Sequence, residues 1–205
     1  SNTYARREPT MSLEDRKKAL VQVLKDPEEI IRGSASRALD RVEGLSRIEG
    51  ILDAASSGDT QNRIRAIHFL GYLNTSESVG KAISLLQDPD PDIRVSTIKS
   101  LQVNLPERAF IPLATCLDDP DTSVVQIALE TISFYKDTKA TDLIMPFLAS
   151  DNTDVAIVAA EALGRNGDPE AEASLIDILI RGTDPFLRAR AADALGNLHP
   201  FPVEE

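Results

Sequence analysis

The sequence is 205 residues long, with 42% hydrophobic and 27% charged residues, the proportions of a folded soluble protein. Aromatics make up 4% and Trp is absent, so a core must be built from Leu, Ile, Val and Ala in thin layers. The formal net charge is −11. It sits in residues 104–205, with 7 Lys/Arg against 18 Asp/Glu, and an acidic half that repels phosphate backbones argues against general nucleic-acid binding.

In chain order, residues 1–11 are polar and hold no signal-peptide core. They read as a disordered N-terminal segment or, from Ser1-Asn2 without a Met, as a cloning remnant. A first helix with Glu14, Asp15, Arg16, Lys17 and Lys18 has the polar surface of an end cap. It stops at Lys25-Asp26-Pro27, because Pro cannot continue a helix interior and disfavours helix in the residue before it. A second helix follows, and the pair then recurs. Stepping 31 residues from Leu39 lands on Leu70, Leu101, Ile132 and Leu163, and a final step of 32 reaches Leu195. Four residues earlier the walk gives Ala35, Ala66, Thr97, Ala128, Ala159 and Ala191, all small. Nineteen residues earlier it gives Leu20, Ile51, Ala82, Leu113, Ile144 and Leu175.

Three columns in phase define six copies of a two-helix unit, expected at 13–44, 45–75, 76–106, 107–137, 138–168 and 169–199. Turns within copies recur as Asp88-Pro89-Asp90-Pro91, Asp118-Asp119-Pro120-Asp121 and Thr183-Asp184-Pro185, whose Asp and Thr can cap the next helix. Breaks between copies, as at Tyr72-Leu73-Asn74-Thr75-Ser76 and Gly164-Arg165-Asn166-Gly167-Asp168-Pro169, carry Asn or Gly, which tolerate the left-handed conformation that closes a helix. The small column lets neighbouring second helices approach, and the large column fills the space between the two helices of a copy. One copy cannot bury its own apolar face, so the copies must stack. A single domain is expected over 12–199, with a tail at 200–205.

The fragments Ile93-Arg94, Ala159-Ala160-Glu161-Ala162-Leu163-Gly164 and Leu187-Arg188-Ala189-Arg190-Ala191-Ala192-Asp193-Ala194-Leu195-Gly196 resemble the signature of short HEAT-like repeats of the phycobilisome-lyase type. The resemblance covers about residues 13–199. It implies an all-α, right-handed α-solenoid of six two-helix repeats with period 31. It also implies that Arg32, Arg63, Arg94 and Arg188 form a structural ladder, each bonded to a turn aspartate such as Asp59, Asp90 or Asp121. The other reading of these arginines is an anion-binding row, although Val125 and Ala156 replace Arg in two copies.

Catalytic constellations are sparse. Similar repeats in metal-dependent hydroxylases carry several His-Glu dipeptides; here the two histidines are His68-Phe69 and His199-Pro200. Cys116 is the single cysteine, so it cannot form an internal disulfide, and it sits in an apolar column that makes it a buried structural thiol. The lone thiol fits a reducing, cytoplasmic setting. Ser56-Ser57-Gly58-Asp59 is a turn without a following Gly-Lys-Ser/Thr, and the Asp-rich turns lack the glycine and distal glutamate of a calcium loop. No catalytic residue, metal or cofactor is expected. No apolar run approaches the roughly 20 residues that span a bilayer.

These features point to a non-catalytic scaffold that binds a protein or peptide along the concave face of the second helices. The outward stripe of those helices holds the candidate contacts: Arg37 and Arg41; Arg65, His68 and Tyr72; Lys99 and Val103; Ile127, Glu130 and Phe134; and Glu161. The middle column turns from basic (Arg37, His68, Lys99) to acidic (Glu130, Glu161, Asp193). Tyr72, Val103 and Phe134 read either as an exposed hot spot or as side chains packed under an adjacent loop or on the next copy. The alternatives are a bilin lyase-type or pigment-handling subunit working with a second protein, as the resemblance implies, and a module of a longer signalling or assembly protein. The Ala-rich last helix lacks a polar outer face, which suggests truncation, a dimer through the C-terminal repeat, or cover by Phe201 and Val203.

Overall fold

The computed structural model describes residues 12–136 and 138–198, with the backbone alone at Asp40 and Leu45. The predicted segments 1–11 and 200–205, and His199, lie outside the described residues. The described residues form α-helices and short 3-10 turns, with no strand. Contacts gather into two compact units, one within residues 1–54 and one within 55–205.

The first unit contains α1 (Leu13–Val23) packed on α2 (Glu29–Ala54). Ser12 caps α1 in a capping box with Asp15. In the turn before α2, the Asp26 carboxylate accepts from the Glu28 N–H at 2.9 Å. Arg32 Nη1 donates to the Asp26 and Pro27 carbonyls at 2.7 and 2.8 Å. The copy boundary expected at 44/45 falls inside α2, which runs unbroken for 26 residues. The physical reason is local. The stretch Val42-Glu43-Gly44-Leu45-Ser46-Arg47 has no Pro and no left-handed residue, and Ser46 Oγ bonds the Val42 carbonyl one turn back at 3.1 Å.

The second unit is an α-solenoid. Its second helices α3 (Thr60–Leu73), α5 (Pro91–Gln102), α7 (Thr122–Ser133), α9 (Thr153–Asn166) and α11 (Pro185–Asn197) pack each on the next. The first helices α4 (Ser76–Leu85), α6 (Phe110–Thr115), α8 (Thr138–Ile144) and α10 (Glu172–Arg181) pack against α5, α7, α9 and α11. Asp59, Asp90, Asp121, Asn152 and Asp184 cap the second helices with their side chains. Left-handed residues separate the copies at Asn74, Leu105, Lys136 and Gly167, again 31 apart.

The predicted columns are the core. Ala66, Thr97, Ala128, Ala159 and Ala191 are buried, as are Leu70, Leu101, Ile132 and Leu163. The closest helix approach uses a different column. A Cβ on Gly71 would lie 2.6 Å from the Ser100 carbonyl oxygen, and one on Gly164 would lie 2.7 Å from Ala194 Cα. These contacts join α3 to α5 and α9 to α11. Asn104 and Asn166 tie copies together by donating to the Gly71 and Ser133 carbonyls of the preceding second helix.

The arginine column has other partners than the sequence suggests. Arg94 forks onto Asp119 through Nε and Nη2, both at 2.7 Å, and Arg63 forks onto Asp88. Each aspartate lies 25 residues ahead, at the start of the next copy's turn. Asp59, Asp90 and Asp121 cap helices instead, because a residue that begins a helix turns its carboxylate toward the free N–H groups. Arg32 and Arg188 donate to backbone carbonyls.

Candidate partner-binding face

Helical spacing brings side chains four residues apart onto one face, and successive second helices set those faces side by side. Across α5, α7 and α9 this produces a groove of about 330 Å³. Val95, Ile127 and Val158 give it apolar surface, Ser123 and Gln126 add polar groups, and Lys99, Glu130, Glu161 and Arg165 supply charge. Four of the sequence-predicted contacts therefore meet here: Lys99, Ile127, Glu130 and Glu161.

The change of sign along the middle column falls inside the groove, between Lys99 on α5 and Glu130 on α7. Neither forms an ion pair among the described residues; Lys99 is exposed and Glu130 is half-buried. The other two charges are engaged. Glu161 pairs with Arg190 at 2.8 Å. Arg165 stacks over the Phe134 ring, 5.0 Å from its centroid, and donates to Ser133 Oγ at 3.1 Å.

The remaining predicted contacts lie elsewhere. Arg37 and Arg41 are exposed on α2 in the first unit. Arg65, His68 and Tyr72 are exposed on α3, outside the groove, with Tyr72 at 75%. Val103 is half exposed at the end of α5. Phe134 is not an outward ring: it is half-buried, with the Arg165 guanidinium of α9 lying over it. The expected row of Tyr72, Val103 and Phe134 is therefore not a uniform exposed strip. Sequence reasoning missed Val95, Ser123 and Gln126, which lie four residues before Lys99, Ile127 and Glu130; helical spacing was the available signal.

The single thiol is buried, and two carboxylates of the Asp-rich turn are engaged. Burial pushes the Cys116 thiol up to about 11, and its column neighbour Leu85 is buried with it. Asp88 is spent on Arg63 and Asp90 on capping α5, so the Asp-rich turn has no free carboxylate cage. Among the described residues no group of three or more His, Cys, Asp or Glu is placed to hold a metal, and no helix is long and apolar enough to cross a membrane.

The HEAT-repeat family model matches residues 48–133 and again 110–196, most of the chain and all of α3 to α9. The chain is a HEAT-repeat protein. Its fold is that of known repeat structures. The complex of CpcE and CpcF of phycocyanin lyase from Nostoc sp. PCC7120 is 16% identical, with a TM-score of 0.61 over 73% of this chain and 98% of that one. A designed armadillo repeat protein in complex with the peptide (KR)4 is 14% identical, with a TM-score of 0.53 over 88% of this chain and 98% of that one. Computationally designed armadillo repeat proteins for modular peptide recognition are 16% identical, with a TM-score of 0.51 over 88% and 99%. Among curated protein sequences there is no match.

Proposed function

We propose that this HEAT-repeat protein is a non-catalytic scaffold that holds an extended peptide, or an extended segment of a protein, in the groove across α5, α7 and α9. The observation that carries the reading is the groove itself: apolar surface from Ile127 and Val158, flanked by the charges of Lys99 and Glu130. Apolar contact supplies affinity, while opposite charges on adjacent copies fix the direction of the bound chain. The likeness to a designed solenoid that carries a bound peptide supports the same mode.

The test is selection of random peptides displayed on phage against the full chain. Enriched peptides should lose about tenfold or more in affinity for Ile127→Glu, since a hot-spot residue contributes upward of about 1.4 kcal/mol. The variant's melting temperature should stay near that of the parent, because Ile127 is half-buried. Peptides that bind Ile127→Glu equally well would place recognition elsewhere.

A second reading, a bilin lyase-type subunit, is favoured by the likeness to the CpcE–CpcF complex. It predicts a shifted absorption band when the protein is mixed with phycocyanobilin. An unchanged spectrum counts against pigment handling by the chain alone.

A further inference from the structure

The first and last of the described copies present the two halves of one ladder rung. In the interior, the rung is an arginine at the start of a second helix and an aspartate 25 residues later, as in Arg94 with Asp119. Arg188 occupies the arginine position in the last copy. Its Nε donates to the Leu179 carbonyl at 2.9 Å, much as Arg63 Nε donates to Ala55. Arg188 is exposed, whereas Arg94 is 8% exposed, and no carboxylate among the described residues reaches Arg188. Asp26 occupies the aspartate position in the first copy. Its carboxylate accepts from the N–H two residues on, as Asp88 and Asp119 do in theirs, and no cation among the described residues pairs with it.

The surfaces around these two groups also match. Gly196 stands in the column of Gly71 and Gly164, where the next copy's helix comes into contact, yet nothing among the described residues lies within 4 Å of a Cβ built on it. Ala192 beside it is exposed, while Ile67, Ile98 and Ala160 of its column are buried. On α1 and α2, an apolar hollow of about 430 Å³ is lined by Leu20, Val23, Ile31 and Ala38 among others. Ile31 is 41% exposed there, although Ile93, Val124 and Val155 of its column are buried. Ala38 stands in the column of Ser100 and Ala194, the two residues that receive Gly71 and Gly164.

We infer that a second copy of this chain docks head to tail, its Asp26 taking the place of the next ladder aspartate beside Arg188. The small column of α11 then meets α2 of the incoming copy, whose apolar hollow is covered. Such a contact is heterologous, so it propagates as an open chain of copies unless its rotation closes a ring. It involves different surfaces from the peptide groove and stands or falls separately from it.

Sedimentation velocity of the full chain, over a series reaching high micromolar concentration, tests this. The parent should sediment faster as concentration rises. Asp26→Arg and Arg188→Asp should each stay monomeric alone. Mixing the two should restore assembly, because each variant then offers an end of opposite charge to the other. Gly196→Leu should also block assembly with its melting temperature preserved, since no described residue crowds the position. Three results would overturn the inference: a monomer at every concentration, assembly indifferent to all three variants, or assembly abolished by Arg188→Asp but untouched by Asp26→Arg, which would mean a symmetric tail-to-tail dimer.

Discussion

At the scale of single residues, the arginine column shows how one position serves two chemistries. Arg94 and Asp119 have side chains 10% and 8% exposed and share two short charge-assisted hydrogen bonds. Removing one partner strands a buried charge, at a cost of about 3 kcal/mol. One copy later the chain itself uses the apolar solution: Val125 takes the arginine position and Ser150 the aspartate position, with Ser150 Oγ still accepting a turn N–H from Asn152. Asp119→Ser should therefore lower the melting temperature clearly, and adding Arg94→Val should recover much of the loss. A double variant no better than the single would show that the rung is not an isolated pair. Acid should act on the same rungs. Burial pushes the Asp88 and Asp119 carboxyls up, but hydrogen bonds from Arg63 and Arg94 and from turn N–H groups outweigh it and hold both below the ordinary value of 3.8. A carboxylate depressed in the folded state stabilises above its unfolded value and loses that contribution as pH falls through the folded one. Melting temperature should drop below about pH 4, and Asp119→Ser should flatten that dependence.

At the scale of helices, spacing is set by what one helix presents to the next. Gly164 admits Ala194 so closely that any Cβ would strike the α11 backbone. Gly164→Val should cost about 2 kcal/mol or more, because the obstacle is main chain and not a movable side chain tip. The measurement is chemical denaturation with an unchanged slope. The continuity of α2 belongs to the same scale. The 31-residue period places a break at 44/45, but a break needs a residue that stops a helix, and Gly44 alone within a run of helix formers does not. Elsewhere Asn74, Pro106 and Gly167 supply the stop or sit beside it.

At the scale of the molecule, burial in the second unit is greatest in its middle copies. Leu113, Ile132 and Ile144 are fully buried, whereas Leu195 in the last copy is only half-buried and α1 in the first unit buries no residue completely. Each copy is stabilised mainly by its neighbours, so a copy with one neighbour opens more readily. Hydrogen exchange should therefore be slowest in α7 and α9 and faster in α11 and α1. Uniform protection across all second helices would show that the array opens only as a whole.

The sequence by itself determined the repeat, its period, the helical class, the core columns and the residue types of the caps, because each follows from periodicity and local backbone chemistry. It also marked Lys99, Ile127, Glu130 and Glu161 as outward positions, since 3.6-residue spacing sorts a helix into faces without reference to its neighbours. Tertiary structure decided the rest. Which aspartate an arginine meets depends on where the next copy's turn falls, and the answer was Asp88 and Asp119, not the capping residues two positions later. Whether Phe134 stands free depends on Arg165 from the following copy. Whether outward residues form a groove depends on how closely α5, α7 and α9 pack. These are distances between copies, and a pattern that repeats along the chain carries the faces of each helix but not the approach of one helix to the next.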